Sequence, residues 1–155
     1  MFKLEDKLDV KTAKQLSSVT LAFIGDAVHS LYVREKLVFL KDDKGYNLNK
    51  KTADMVRASA QANFFDKIYP VLTEEEIDVF KRARNTKKGT RAKNASVGEY
   101  NKATGFEALV GFLYVTGNTE RLNFLLNYEE EKDIEDESWR KKRRFRTFKN
   151  GQDDW

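Results

Sequence analysis

The stretch from Thr20 to Phe39, TLAFIGDAVHSLYVREKLVF, sets the terms on which this chain can fold. At helical period Leu21, Ile24, Val28, Leu31 and Tyr32 fall on one face, with Phe23, Ala27 and Leu37 filling in beside them. A helix that is apolar almost all the way round is expected in the middle of a bundle. Asp26 breaks the pattern, seated after a glycine among Ala22, Phe23, Ile24, Ala27 and Val28. A carboxylate in apolar surroundings costs on the order of several kcal/mol unless something pairs with it. No Lys or Arg stands within one turn, and Arg34 is two turns away. The charge has to be met from elsewhere in the fold, by a distant basic residue or by a metal ion.

The rest of the chain reads as an all-α domain. It has a single proline, Pro70, and few strand-like alternations. Residues 4–16 suggest a short first helix with Leu4, Leu8 and Leu16 as packing residues. After the Thr20 helix, KDDKGYN (41–47) is polar, with Gly45 as the breaker. Asn47 or Asn49 is placed to cap a helix over 50–69, with Ala53, Val56, Ala60, Phe64 and Ile68 toward the core. Pro70 interrupts it. Thr73 with Glu76 then forms a capping box that opens a helix through Ile77, Phe80 and Arg84. Residues 85–95, NTKKGTRAKNA, have no periodicity and read as an exposed loop. Ser96 with Glu99 forms a second capping box, opening a further helix with Tyr100, Ala103, Phe106, Val110 and Leu113 along one stripe. Gly117 suits the left-handed position that ends helices. A last amphipathic helix turns Leu122, Leu125 and Leu126 inward.

At 155 residues this is one domain, 1–128, followed by a charged tail, 129–155. The tail holds seven acids in 129–137 and then seven basic residues in 140–149. A solvated appendage and an RNA-binding arm both suit that block pattern. With no cysteine and one histidine, disulfides and the usual Cys- or His-rich metal sites are excluded. Any metal would be a hard cation held by oxygens. The N-terminus lacks a signal-peptide run and no stretch nears the ~20 apolar residues of a membrane span, so the expectation is a cytoplasmic protein without a membrane partner.

Charge is uneven. Residues 81–102 carry eight basic residues, Lys81, Arg82, Arg84, Lys87, Lys88, Arg91, Lys93 and Lys102, against one acid, Glu99. That excess suits a polyanion. Lys50, Lys51 and Arg57 form a weaker basic face on the preceding helix.

A second acid repeats the situation of the first. Glu107 lies among Phe106, Ala108, Leu109 and Val110 on another largely apolar helix. Two explanations suit the pair: one shared Mg²⁺ site, or separate accommodation of each acid, by a salt bridge to a distant cation or at the edge of the stripe in water. Spacing alone does not choose between them. His29, one turn after Asp26, is read as structural.

LAFIGDAV (21–28) resembles the signature segment of the ribonuclease III family, and FEALVGFLYVTG (106–117) resembles that family's second acidic helix. The order of segments from about residue 10 to 128 is similar too. The usual members carry two further metal-site acids, at positions filled here by Ala22 and Thr104. Those departures, the RARNTKKGTRAKN loop and the lack of a double-stranded-RNA-binding domain resemble the small bacterial Mini-ribonuclease III subfamily. The resemblance implies a ribonuclease III-type helical domain and Mg²⁺-dependent endonucleolytic cleavage of double-stranded RNA, with precursor 23S ribosomal RNA as substrate. Asp26 and Glu107 would then be the catalytic, metal-holding residues. It implies a homodimer with Phe23 at the interface, and leaves room for a ribosomal protein that presents the substrate. For RNA contact the basic loop nominates Arg82, Arg84, Asn85, Lys87, Lys88, Arg91 and Lys93. The loss of two family acids keeps an alternative open: a non-catalytic RNA-binding or ribosome-assembly factor on the same fold.

Overall fold

The computed structural model describes residues 6–40, 45–86 and 96–128. Among them are seven helices: α1 (Val10–Gln15), α2 (Ser18–Leu40), α3 (Gly45–Val56), α4 (Ala58–Ile68), α5 (Glu74–Arg84), α6 (Val97–Val115) and α7 (Thr119–Leu126). A 3-10 turn over Tyr69–Val71 is what Pro70 makes of the junction between α4 and α5. No strand occurs among the described residues. The tail 129–155, Leu4 and most of the basic loop (87–95) lie outside them.

The helix at the centre is α6, not α2. From Ala103 to Leu113 every residue of α6 is buried except Thr104 and Glu107, and α2, α4, α5, α7 and α1 all pack on it. The α2 helix packs chiefly on α6 and α3 with one face, led by Leu21, Ala22, Val33 and Leu37. Its other face, with Val19, Phe23, Leu31 and Val38, is exposed. Both helices are apolar nearly all round, so period alone could not rank them. The difference is how many neighbours this one chain can lay against each.

Two glycines decide how α2 and α6 meet. A methyl group built on Gly25 would sit 1.7 Å from the carbonyl oxygen of Glu107, and one built on Gly111 would sit 1.9 Å from that of Leu21. The backbones therefore touch at both points, antiparallel, with residue 21 beside 111 and 25 beside 107. Any side chain larger than hydrogen would push the helices apart.

The ends are fixed by local chemistry. Thr73 Oγ1 accepts from Glu76 N at 3.2 Å while Glu76 Oε1 accepts from Thr73 N at 2.9 Å, so the first expected capping box forms in full. Ser96 caps α6 by accepting from Glu99 N at 3.1 Å. Gly117 adopts φ +70° where α6 ends. Leu122, Leu125 and Leu126 of α7 are buried, as their spacing implied. Three expectations need correction. The α3 helix begins at Gly45, so neither Asn47 nor Asn49 caps it. The expected single helix over 50–69 is broken at Arg57, which is extended (φ −65°, ψ 156°) and starts α4. The break turns Gln61, Ala62, Phe65 and Ile68 inward; Phe64 is half-buried and packs against the core as expected, Val56 and Ala60 are half-buried, and Ala53 is exposed. In the N-terminal segment Ala13 is buried and Leu16 packs against the core as expected, whereas Leu8 is exposed. Tertiary packing overrides local propensity at such breaks.

Glu76 is buried and takes a two-pronged grip from Arg121 of α7: Nε to Oε2 at 2.9 Å and an Nη to Oε1 at 2.7 Å. The same guanidinium donates to the Val71 carbonyl at 2.7 Å, joining α5, the 3-10 turn and α7. Burial pushes the Glu76 carboxyl upward, but hydrogen bonds from Arg121 and Thr73 outweigh it and hold the group below the usual carboxylate range.

The α2–α6 contact has a measurable cost if disturbed. Gly111→Ala gains about 1 kcal/mol of helix propensity and loses more to overpacking against the Leu21 carbonyl. A net destabilisation of about 1–3 kcal/mol is expected in urea denaturation.

Candidate active site at the crossing of two helices

Asp26 follows Gly25 directly, and Gly25 rests on the backbone of Glu107. The structure thus brings the two acidic residues, one on α2 and one on α6, to the same helix crossing. Their surroundings differ from the expectation of two buried charges. Asp26 is exposed, because it falls on an edge of α2 that no other helix covers among the described residues. Its charge stays in water and carries no burial cost. Among the described residues no hydrogen bond or ion pair holds it. Glu107 is half-buried on a helix that is otherwise core.

One turn from each acid stands a residue that cannot serve as an anionic ligand. Ala22 is buried against the core. Thr104 is half-buried and its hydroxyl donates to the Tyr100 carbonyl at 3.0 Å. Among the described residues no group of three or more His, Cys, Asp or Glu side chains gathers anywhere.

His29 is structural, as read from the sequence. Its ring stands edge-on to Phe106, with centroids 5.0 Å apart, and its Nδ1 lies 3.0 Å from Gln61 Nε2, the amide donating. Both partners are buried. Gln61 escaped the sequence reading, since a lone glutamine inside a helical stripe carries no motif. Arg121 escaped it as well, because its partner lies 45 positions away.

Phe23 is 80% exposed, an unusual state for a phenylalanine. Val19 and Leu31 are exposed on the same helix, so an apolar strip runs beside Asp26.

The basic nominees divide. The Arg82 guanidinium faces the protein, donating to the carbonyls of Lys14 and Leu16, the latter at 2.9 Å, and so ties the end of α1 to α5. Arg84 lies over the Phe80 ring, 5.5 Å from its centroid, and its Nε donates to Asn85 Oδ1 at 3.1 Å. Asn85 ends α5. Lys87, Lys88, Arg91 and Lys93 fall outside the described residues. On α3, Lys50 and Lys51 are exposed; Arg57, also exposed, is 3.9 Å from Asp54.

With this geometry in view, the comparisons are specific. Residues 19–118 match the sequence model of the Ribonuclease III domain, a span that includes both acids. The chain is 42% identical over 141 residues to the Mini-ribonuclease 3 of Clostridium tetani, covering 87% of this chain and 93% of the relative. It is 50% identical over 111 residues to that of a Thermoanaerobacter species, covering 72% and 78%. A crystal structure of a Fusobacterium nucleatum protein, 33% identical, superimposes with a TM-score of 0.64 and covers 73% of this chain and 90% of that one. The fold is that of a ribonuclease III domain. This chain belongs to the Mini-ribonuclease 3 branch of the ribonuclease III family, and is by that membership an endoribonuclease.

The buried imidazole beside the site gives a pH dependence whose sign is fixed. Burial pushes His29 down to about 4 from the ordinary 6.5. Between those values the unfolded chain binds a proton that the native state refuses, so stability is full above pH 6.5 and declines as the pH falls toward about 4. The decline attributable to His29 is roughly 3 kcal/mol. Urea denaturation across that window should show a steep acid limb in the wild type and a flatter one in His29→Phe.

Proposed function

We propose that this chain is a Mg²⁺-dependent endoribonuclease that cleaves double-stranded RNA as a homodimer in the cytoplasm, with the ends of precursor 23S ribosomal RNA as its substrate. The reading is carried by the contact of Gly25 with Glu107, which lies within a ribonuclease III domain and has an acid on either helix.

The donor set fits a small hard cation. Asp26 and Glu107 offer carboxylate oxygens alone, and Mg²⁺ commonly takes one or two carboxylates while keeping several waters. With Ala22 and Thr104 in place of further acids, the substrate phosphate is the natural remaining ligand. Bound there, Mg²⁺ supplies Lewis-acid stabilisation of the phosphodiester and of the departing oxygen. The chain's own groups do the rest. Asp26 is open to solvent, where the backbone of an incoming duplex can reach it. Glu107 rides on the most deeply packed helix, which fixes it relative to the fold. Arg84, Asn85, Lys87, Lys88, Arg91 and Lys93 suit an A-form duplex, which is gripped through phosphates and 2′-hydroxyls rather than base edges.

The strip of Val19, Phe23 and Leu31 supports the dimer. A second copy would cover it and set one site against each strand of a duplex, leaving short 3′ overhangs. A ribosomal protein that presents the RNA is compatible with this arrangement. No helix among the described residues is long and apolar enough to cross a membrane.

Cleavage of duplex RNA with Mg²⁺ is the direct test. Asp26→Asn and Glu107→Gln should each lower the single-turnover rate by roughly 10²–10³-fold, the scale of losing one preorganised electrostatic stabiliser. Undiminished cleavage by both variants rejects the site. Ala22 and Thr104 favour the second reading, an RNA-binding factor without catalysis; EDTA-insensitive, salt-sensitive binding with no product at any Mg²⁺ concentration would establish it. For the dimer, Phe23→Asp should sediment as a monomer and lose double-strand cleavage while its helical circular dichroism is kept.

A further inference from the structure

The glycine contacts between α2 and α6 put backbone on backbone at two points, with the Ile24 side chain also against Gly111. Contacts of this kind set how closely the helices lie but supply no directional bond to fix their register. An error of about 1 Å in the placement of reacting groups is enough to cost about 10²-fold in rate. Something nearby has to set the register.

A directional feature lies one turn along α2 from Asp26. His29, 6% exposed, places its ring at 90° to Phe106, the residue before Glu107. Its Nδ1 takes the amide of Gln61, 2% exposed, from α4 at 3.0 Å. Phe64 of α4 meets the same Phe106 ring edge-on at 5.7 Å. The directional bond joins α2 to α4, and the Phe106 ring of α6 packs edge-on against His29 and Phe64 beside it, so three helices meet at one point. A polar pair costs more to bury than an apolar pair of the same volume, and in return it fixes orientation. The amide nitrogen can only donate, so Nδ1 accepts, which suits the neutral imidazole that burial favours.

We infer that His29 and Gln61 are positioning residues for the Asp26–Glu107 site, the imidazole–amide pair fixing the height and roll at which α2 lies on α6. The inference rests on the proposed function, and neither residue touches RNA.

The test uses the full-length protein as His29→Phe, Gln61→Leu and the double variant. Each is measured for urea midpoint, for Mn²⁺ affinity from the electron paramagnetic resonance of the free ion, and for kcat and KM on duplex RNA. Each single variant leaves a buried polar group unpaired, so stability and site both suffer. The double variant is apolar on both sides and should recover a near-wild-type midpoint. Its Mn²⁺ affinity and kcat should nevertheless stay roughly tenfold or more below wild type, the usual loss for residues that orient ligands, with KM changed by less than about twofold. A double variant with wild-type midpoint, Mn²⁺ affinity and kcat makes the pair ordinary core and overturns the inference. If the double variant does not fold, Gln61→Asn keeps the amide but shortens its reach. Weaker Mn²⁺ binding at an unchanged midpoint then supports the inference, and unchanged binding overturns it. Asp26→Asn is run alongside. Should it bind Mn²⁺ as tightly as wild type, the site itself is wrong and the inference falls with it. Should it lose Mn²⁺ while the double variant keeps it, the site stands and only the positioning role fails.

Discussion

At the crossing of α2 and α6 the two backbones touch, and the character of the domain follows from that contact. Packed helices normally stand about 8–10 Å apart, separated by a layer of side chains. Here Gly25 and Gly111 remove that layer at two successive turns. One consequence is geometric: an acid next to Gly25 and the acid under it share one location although they stand 81 positions apart in the chain. The other is electrostatic. Asp26, on the open edge, keeps its carboxylate in water, whereas Glu107 rides half-buried on the core helix.

The α2 helix serves two masters, and its composition records both. Leu21, Ala22, Gly25, His29 and Val33 belong to the core of one chain. Val19, Phe23, Leu31 and Val38 are exposed, outside the core that the described residues build. A helix hydrophobic all round is ordinarily read as buried all round. In this protein the same pattern describes a helix with one face packed within the domain and another exposed among the described residues.

How far the sequence could be read depended on the range of each interaction. The capping box of Thr73 and Glu76, the cap at Ser96 and the stop at Gly117 act within a single turn, and all three were legible. The all-α class and the inward leucines of α7 follow from periodicity, another local property. The break at Arg57 was not legible, because nothing in VRAS forbids a helix; α4 turns there to lay Phe65 and Ile68 on the core. Arg121 and Gln61 were invisible because their partners are distant in sequence. The two acids were singled out on a partly mistaken premise. Asp26 is unusual for its position beside a glycine contact, not for being buried.

The orientation of Arg82 bears on how salt would act on RNA binding. Affinity for a nucleic acid weakens with salt according to the number of counterions displaced from phosphates, with a slope of about −0.9 per phosphate neutralised on a duplex. A guanidinium bonded to the carbonyls of Lys14 and Leu16 contributes to the general potential but is held away from that exchange. The stoichiometry of ion release would therefore fall below the tally of positive charges between residues 81 and 102, and the shortfall would measure how much of that charge is committed to holding the protein itself together.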